Sequence, residues 1–323
     1  MAAETSKAPI VSVVVPSYNH GRFLAATLDS ALATTLPIEL VVVDDGSSDD
    51  SAALLRDWAG REPRLRFFPQ ANAGAHAALN RGIGLARADL VLILNSDDLF
   101  LPGRIETLAA AFAADPDLAF AGSALEVIDH QGNLLGKKDG WRSLPPPWQK
   151  KGGLSELGHP SLALLESNYL STTSNFAFRR SRAAGLEFRP LRYAHDWDFA
   201  LAMASRGGYT FFDQPLLQYR VHPSNTIKEG AEAGRGLMYF EILWLLAGHA
   251  HQLCRRCQPD FPDLDLERQI AQGLPDFGHP ELLFTLLAWR GESAAPSAAF
   301  LALLEADHPL RQSAIAELAK VAP

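Results

Sequence analysis

The stretch that most constrains this chain is Ala88-Asp89-Leu90-Val91-Leu92-Ile93-Leu94-Asn95-Ser96-Asp97-Asp98. The unbroken apolar run from Leu90 to Leu94 reads as a strand buried on both faces. It ends in two adjacent carboxylates. Placed there, they repel each other, and burial raises the cost unless a cation or hydrogen-bond donors satisfy them. One reading is a hard-cation site that also holds a phosphorylated ligand, because oxygen ligands suit Mg²⁺ or Mn²⁺. The other is a solvated turn in which Asp98 caps the helix that Pro102 opens.

The residues before this stretch repeat its logic. Ile10 to Val15 is a β-branched run stopped by Pro16, followed by the loop Pro16-Ser17-Tyr18-Asn19-His20-Gly21 and a helical pattern from Arg22 to Leu32. Ile38 to Val43 is a second buried run, ending in Asp44-Asp45-Gly46-Ser47-Ser48-Asp49, and Ser48 or Asp49 can cap a helix reaching Ala59. Leu65 to Phe68 is a short third strand, and Asn72 to Ala86 a small-residue helix. Alternating strands and helices predict an α/β fold with a mostly parallel sheet. Ligands of such sheets bind beyond the carboxyl ends of the strands. Pro16 to Asn19, Asp44 to Ser47 and Asn95 to Asp98 all fall at that edge, and three independent turns explain the coincidence poorly. Gly82 and Gly84 lie inside a helical pattern, so the dinucleotide fingerprint fails, and no Gly-Lys-Ser/Thr loop is present. A nucleotide bound here must have its phosphates neutralised by a metal and side chains.

The 323 residues are 47% hydrophobic and 20% charged, which suits a globular chain with one large domain and an appendage. A formal net charge of -8 argues against a nucleic-acid partner, which needs a basic face. The two cysteines, Cys254 and Cys257, provide no disulfide framework. Met1 to Pro9 lacks an apolar signal core, and no stretch reaches the ~18 apolar residues of a membrane span. A cytoplasmic protein fits best, with peripheral contact at the inner membrane left open.

Further along, Pro102 to Ala114 reads as a helix, Leu118 to Gly122 as a strand, and Ala124 to Leu135 as a hairpin turning at Asp129 to Asn133. Gly136 to Gly158 reads as a long loop around Pro145-Pro146-Pro147. Its Lys137, Lys138, Lys150 and Lys151 are solvated lysines, or else meet an anionic ligand. Ser174 to Arg180 alternates as a strand does. Tyr193 to Gly208 predicts an amphipathic helix with an acidic first turn, closed by Gly207-Gly208. Asp196 and Asp198, two residues apart, point in different directions, so one can serve chemistry while the other caps or pairs. Tyr209 to Asp213 and Leu216 to Val221 read as strands leading to His222, a candidate metal ligand or phosphate donor.

Taken in order, Val13 to Asn19, Val43 to Asp49, Asn72-Ala73-Gly74 with Asn80 and Gly82, Asn95 to Asp98, His195-Asp196 and Tyr219-Arg220-Val221-His222 resemble the family 2 glycosyltransferases of the GT-A fold. The likeness spans about residues 9 to 225. It implies a Rossmann-like, mostly parallel sheet flanked by helices. It also implies inverting transfer of a sugar from a nucleotide-diphosphate sugar (UDP, GDP or dTDP type) to an acceptor hydroxyl, with Mg²⁺ or Mn²⁺. By position, Pro16, Tyr18, Asn19, Asp45 and Gly74 line the donor site, with Tyr18 near the base and Asp45 accepting from its edge. Asp97 and Asp98 then supply ribose and metal contacts, His222 approaches the metal or diphosphate, and Asp196 is the general base. Three positions depart from the family pattern: Asn95 where an Asp is common, His195 where a Glu is usual, and Leu79 where an Arg is common.

The resemblance divides the chain into a catalytic domain, residues 1–225, and a helical C-terminal extension, residues 226–323. The extension is expected to pack on the catalytic domain, form a homodimer contact or shape the site for a glycan or lipid-linked acceptor. A shared zinc site for His249, His251, Cys254 and Cys257 is disfavoured, since four ligands within nine residues of one helix cannot readily surround an ion. Two other functions compete. A sugar-1-phosphate nucleotidyltransferase would need a Gly-rich, basic loop after the first strand, and a non-catalytic scaffold would have no need of Asp97, Asp98 and Asp196.

Overall fold

The computed structural model describes residues 8–143, 153–223, 234–291 and 296–320. Pro145 to Pro147, Lys150, Lys151 and the expected domain boundary near residue 225 lie outside the described residues. The chain forms two compact units. The first comprises residues 1–143, 169–190 and 206–221, and the second 144–168, 191–205 and 222–323.

Among the described residues, the first unit is built on a nine-stranded sheet. Its parallel part is made of β1 (Val11–Ser17), β2 (Ile38–Asp44), β3 (Leu65–Pro69) and β4 (Leu90–Ile93), in the order β3-β2-β1-β4. These strands are linked by α1 (Gly21–Leu32), α2 (Ser51–Arg61) and α3 (Ala75–Leu85). Every residue of β2 is buried, as a strand covered on both faces requires. The strand at Pro16 does not stop there: Pro16 pairs with Val43 and Ser17 with Asp44. Pro16 sits one residue from the strand end, where a missing N–H costs least. Gly82 lets α3 press on β1, since a Cβ there would stand 2.4 Å from Val14 Cγ1. Close packing, rather than a phosphate, accounts for that glycine.

The sheet continues through β5 (Leu99–Phe100), then α4 (Arg104–Ala114), β6 (Leu118–Ile128), β7 (Leu134–Lys138), β8 (Ala177–Arg179) and β9 (Gly208–Arg220). β8 runs antiparallel between β4 and β6, and β9 runs parallel to β6. The expected hairpin is present as β6 and β7, although β6 is one long strand and β7 carries Lys137 and Lys138 out of the expected loop. The two strands expected between 209 and 221 are a single β9. Pro215 lies within it, and the β6 register shifts on either side of Ala124, the residue it faces.

The second unit is helical. It contains α5 (Pro160–Ala163), α6 (His195–Ala204), α7 (Arg235–Cys257), α8 (Leu266–Gly273), α9 (Pro280–Arg290), α10 (Ala298–Ala302) and α11 (Pro309–Leu318). The long α7 organises the rest. Trp244 stacks on Phe300 with centroids 4.9 Å apart and donates its indole N–H to the Phe300 carbonyl. Arg290 donates to the Gly248 carbonyl at 3.0 Å. The structure corrects the amphipathic reading of α6: Trp197 to Ala204 are all buried, so this is a core helix whose only partly open residues are His195 and Asp196. Among the described residues, no helix is long and apolar enough to cross a membrane.

Candidate active site

In the sheet unit the carboxyl ends of β1, β2 and β4 carry the three polar clusters. Asp44 closes β2 and folds the next loop back on itself, accepting from the Ser47 N–H at 3.1 Å and from the Ser47 hydroxyl. The loop requires Gly46, whose φ of +75° would strain any L side chain. Asp45 points the other way. It is 3% exposed and accepts from Gln70 Nε2 at 2.7 Å, Ala73 N–H at 2.9 Å and Gly74 N–H at 2.8 Å. Gly74, with φ +91°, then opens α3. Asn19 adopts a left-handed φ of 54°, which its short polar side chain tolerates. Its side-chain oxygen accepts from Ser48 N–H at 2.8 Å, and its own N–H donates to Ser47 Oγ at 2.9 Å. Asn19 thus pins the β2 loop to the β1 loop. Tyr18 between them is 47% exposed.

The Asp97–Asp98 corner separates its two carboxylates by role. Asp98 is fully buried. One of its oxygens accepts from the Arg220 backbone N–H at 2.8 Å, and the other from Ser174 Oγ at 2.6 Å and Thr172 Oγ1 at 3.2 Å. Burial, and then the neighbouring charge of Asp97, push the Asp98 carboxyl up to about 8 against the pull of those donors. The bland alternative fails: Asp98 caps no helix, and α4 starts after Gly103 with no side-chain cap. Arg220 also donates from Nε to the Asp97 carbonyl at 2.8 Å. Asp97 itself is 6% exposed, and its Oδ1 lies 4.0 Å from His20 Nδ1.

Behind Asp98 lies the turn from Ser171 to Asn175, a region expected to bear on the choice of sugar and acceptor. Thr172, Thr173 and Ser174 follow Ser171, a non-glycine residue at φ 70°. Asn95 donates from its amide to Thr172 Oγ1 at 2.9 Å and accepts from Thr173 Oγ1 at 2.7 Å, while its N–H donates to Ser174 Oγ at 2.8 Å. This network explains Asn95. The Thr172 hydroxyl proton is already given to Asp98, so position 95 must donate to Thr172 as well as accept, which a carboxylate cannot do. Arg104, 1% exposed, backs the turn by donating to the Ser174 carbonyl at 3.0 Å and Ser123 Oγ at 3.1 Å. Burial pulls its guanidinium down to about 9, opposed by the charge of Asp98. The hint in the sequence was Ser171-Thr172-Thr173-Ser174-Asn175, a polar run placed just before a strand. Leu79 is buried, and neighbouring Asn80 is spent on the backbone N–H and carbonyl of Phe188.

In the helical unit, Asp196 opens α6 beside His195. Asn168 Nδ2 donates to Asp196 Oδ2 at 2.9 Å, and the Trp197 N–H donates to its Oδ1 at 2.7 Å. The approach to the helix is held by Glu241 of α7, which accepts from the N–H groups of Arg192, Tyr193 and Ala194 at 2.9, 2.8 and 3.2 Å. Burial nevertheless pushes its carboxyl up. Asp198 is buried and hydrogen-bonded to His249 Nε2 at 2.8 Å. His222 opens the last segment of this unit and is 2% exposed. His249 is committed to Asp198, and Cys257 lies 3.8 Å from His159 with its thiol pushed up to about 12 by burial. These two therefore serve separate contacts on α7.

Residues 12–161 match the family model for Glycosyl transferase family 2. Chondroitin synthase of Escherichia coli is 33% identical over 141 residues, which cover 43% of this chain and 21% of that enzyme. This chain thus spans about a fifth of that relative's length. An uncharacterized glycosyltransferase of Rickettsia typhi is 26% identical over 243 residues, 75% of this chain and 72% of that one. The S. aureus TarS fragment 1–349, solved with UDP-GlcNAc, superposes with a TM-score of 0.58 at 20% identity, covering 96% of this chain and 90% of that one. The mannosyltransferase PcManGT of Pyrobaculum calidifontis, solved with GDP-Man and Mn²⁺, gives 0.50 at 20% identity over 98% and 87%. At that identity these structures establish a shared GT-A-like fold.

Proposed function

We propose that this chain, which carries a family 2 glycosyltransferase domain over residues 12–161, moves a sugar with inversion from a nucleotide-diphosphate sugar to a hydroxyl of a glycan or lipid-linked acceptor. The observation that carries the reading is the meeting of Pro16 to His20, Asp44 to Ser47 and Asn95 to Asp98 at one sheet edge, within the segment that matches the family. Tyr18, the exposed ring, takes the base. Asp45 holds the Ala73-Gly74 turn and keeps lone-pair capacity for the base edge. Pro16, Asn19 and Gly74 fix the loops that shape the donor pocket.

The chemistry of the donor set fits a divalent cation: Asp97 offers a carboxylate beside the His20 imidazole, and the resemblance implies that His222 approaches the metal or the diphosphate. Bound Mg²⁺ or Mn²⁺ would offset the charge that develops on the leaving diphosphate. Asp98 keeps its oxygens on Arg220, Thr172 and Ser174, and so anchors the corner. Asp196 accepts the proton of the attacking hydroxyl, with Asn168 fixing the orientation of its carboxylate. Synthesis of a bacterial surface polysaccharide is the setting favoured by the relatives, among them a chondroitin synthase.

The test is a thermal-shift screen of UDP, GDP, dTDP and CMP sugars with and without Mn²⁺, followed by assay of sugar transfer with the stabilising donor. A ligand bound to the native state raises the melting temperature by mass action. Metal-dependent stabilisation by one nucleotide class supports the reading. A folded sample that responds to none contradicts it and favours a non-catalytic scaffold.

A further inference from the structure

We infer that His20 supplies an imidazole nitrogen to the ion held by Asp97, and that this site therefore prefers Mn²⁺ to Mg²⁺. The inference rests on the reading above and deepens it, because it concerns the same ion.

His20 is the residue before α1, and its place is set by the backbone. Asn19 turns through the left-handed region and locks its side chain onto Ser48, so the next residue is delivered to the end of β4 rather than into solvent. There the His20 ring is half-buried and set edge-on to Phe23, with centroids 6.0 Å apart. Phe23 is in turn covered by the Arg220 guanidinium, 4.8 Å from its centroid. The ring is thus packed from below, while its Nδ1 faces the motif: 2.8 Å from Ser96 Oγ and 4.0 Å from Asp97 Oδ1.

That second distance is the informative one. Bonds from a divalent first-row ion to imidazole nitrogen or carboxylate oxygen are each about 2.1 Å, so one ion can bridge two such atoms up to ~4.2 Å apart. His20 and Asp97 already fall within that span without backbone movement. At that nitrogen the ion would replace the Ser96 contact. Carboxylate oxygen accepts Mg²⁺ and Mn²⁺ alike, but imidazole nitrogen favours the transition metal. With the His20 imidazole beside the Asp97 carboxylate, the protein would offer the ion a mixed nitrogen and oxygen set. Such a set is a poor match for Mg²⁺, which keeps oxygen and water around it.

The test is calorimetric titration of Mn²⁺ and of Mg²⁺ into the full chain with UDP, and separately with GDP and with dTDP, present throughout. Free Mn²⁺ is followed in parallel by its EPR signal. Wild type, His20→Ala and His20→Asn are compared, the asparagine variant keeping a polar partner for Ser96. Both variants are checked for a wild-type melting curve without metal. Loss of a direct ligand is expected to weaken Mn²⁺ binding at least about tenfold, the lower bound seen for loss of an outer partner. Mg²⁺ binding should change less, so the Mn²⁺ preference collapses in both variants. An unchanged ratio in folded variants that still bind the nucleotide with metal would overturn the role of His20 and leave the glycosyltransferase reading standing. Absence of metal-dependent binding of UDP, GDP and dTDP alike in wild type would overturn that reading, and this inference with it.

Discussion

The sheet unit and the helical unit each present a close pair of aspartates, Asp97–Asp98 at the end of β4 and Asp196–Asp198 at the start of α6. In each pair one member is buried and spent on protein partners. Asp98 is bonded to Arg220, Thr172 and Ser174, and Asp198 to His249. The other member, Asp97 or Asp196, sits closer to solvent and is the one assigned to chemistry. The means differ. Asp98 is held by neutral donors and burial leaves it reluctant to ionise, whereas Asp198 faces the His249 imidazole. An acidic pair read in a sequence is therefore ambiguous until burial shows which carboxylate is the anchor.

The comparison breaks most visibly if the less buried members prove structural. Asp196→Asn should keep the fold and donor binding while transfer falls by about 10²–10⁴, the usual contribution of a general base. Transfer rates beside melting curves check this, and retained transfer would remove Asp196 from that role. The buried member should behave in the opposite way. Asp98→Ala should cost at least about 3 kcal/mol of stability, since it leaves the buried donors of Arg220, Ser174 and Thr172 unsatisfied at about 1–3 kcal/mol each, as a urea melt would show.

Asp98 also predicts a pH dependence in the metal-free chain. Its carboxyl rises from 3.8 when unfolded to about 8 when folded. Below the lower value both states hold the proton and the group contributes nothing. Between the two, the unfolded chain has released its proton and the folded chain has not, so stability falls as pH rises, then levels off. Asp98→Asn should flatten that slope in melts across this range, and an unaltered slope would assign it to other groups.

His249→Ala sharpens the comparison on the helical side. It should cost roughly 2–3 kcal/mol, the worth of a hydrogen bond to a charged group, with donor affinity unchanged. Asn168→Ala is a smaller effect, a fall in kcat of about tenfold with the donor KM unmoved, because a misoriented base slows chemistry without touching the donor. Asn168→Asp, placing a like charge beside Asp196, should be worse than alanine, whereas a merely structural asparagine would show melting changes instead. Smallest of all, Tyr18→Phe should keep nucleotide binding within about threefold while Tyr18→Ala loses roughly tenfold, since stacking uses the ring and not the hydroxyl.

Much of this was legible from sequence because burial writes itself into composition. The apolar runs of β1, β2 and β4 gave away the parallel sheet, and the polar residues ending them marked its edge. Less visible were contacts made by residues far apart in the chain. Nothing local says that Ser174, 76 positions from Asp98, donates to it, or that Asn168 donates to Asp196 from 28 positions away. The departure at Asn95 looked like a lost carboxylate, and only the Thr172-Thr173-Ser174 turn shows it as a fitted amide. Neither could the amphipathic reading of α6 anticipate burial on every side, since which of Asp196 and Asp198 is the paired one stays open until His249 is found beside Asp198.

The most direct test of the division of labour is Mn²⁺-dependent UDP or GDP binding, measured by calorimetry on folded Asp97→Asn and Asp98→Asn. The account predicts that Asp97→Asn loses the metal-dependent part of the affinity while Asp98→Asn keeps it within about threefold, since a ligand is lost only in the first. Loss in Asp98→Asn with binding preserved in Asp97→Asn would reverse the assignment of anchor and ligand.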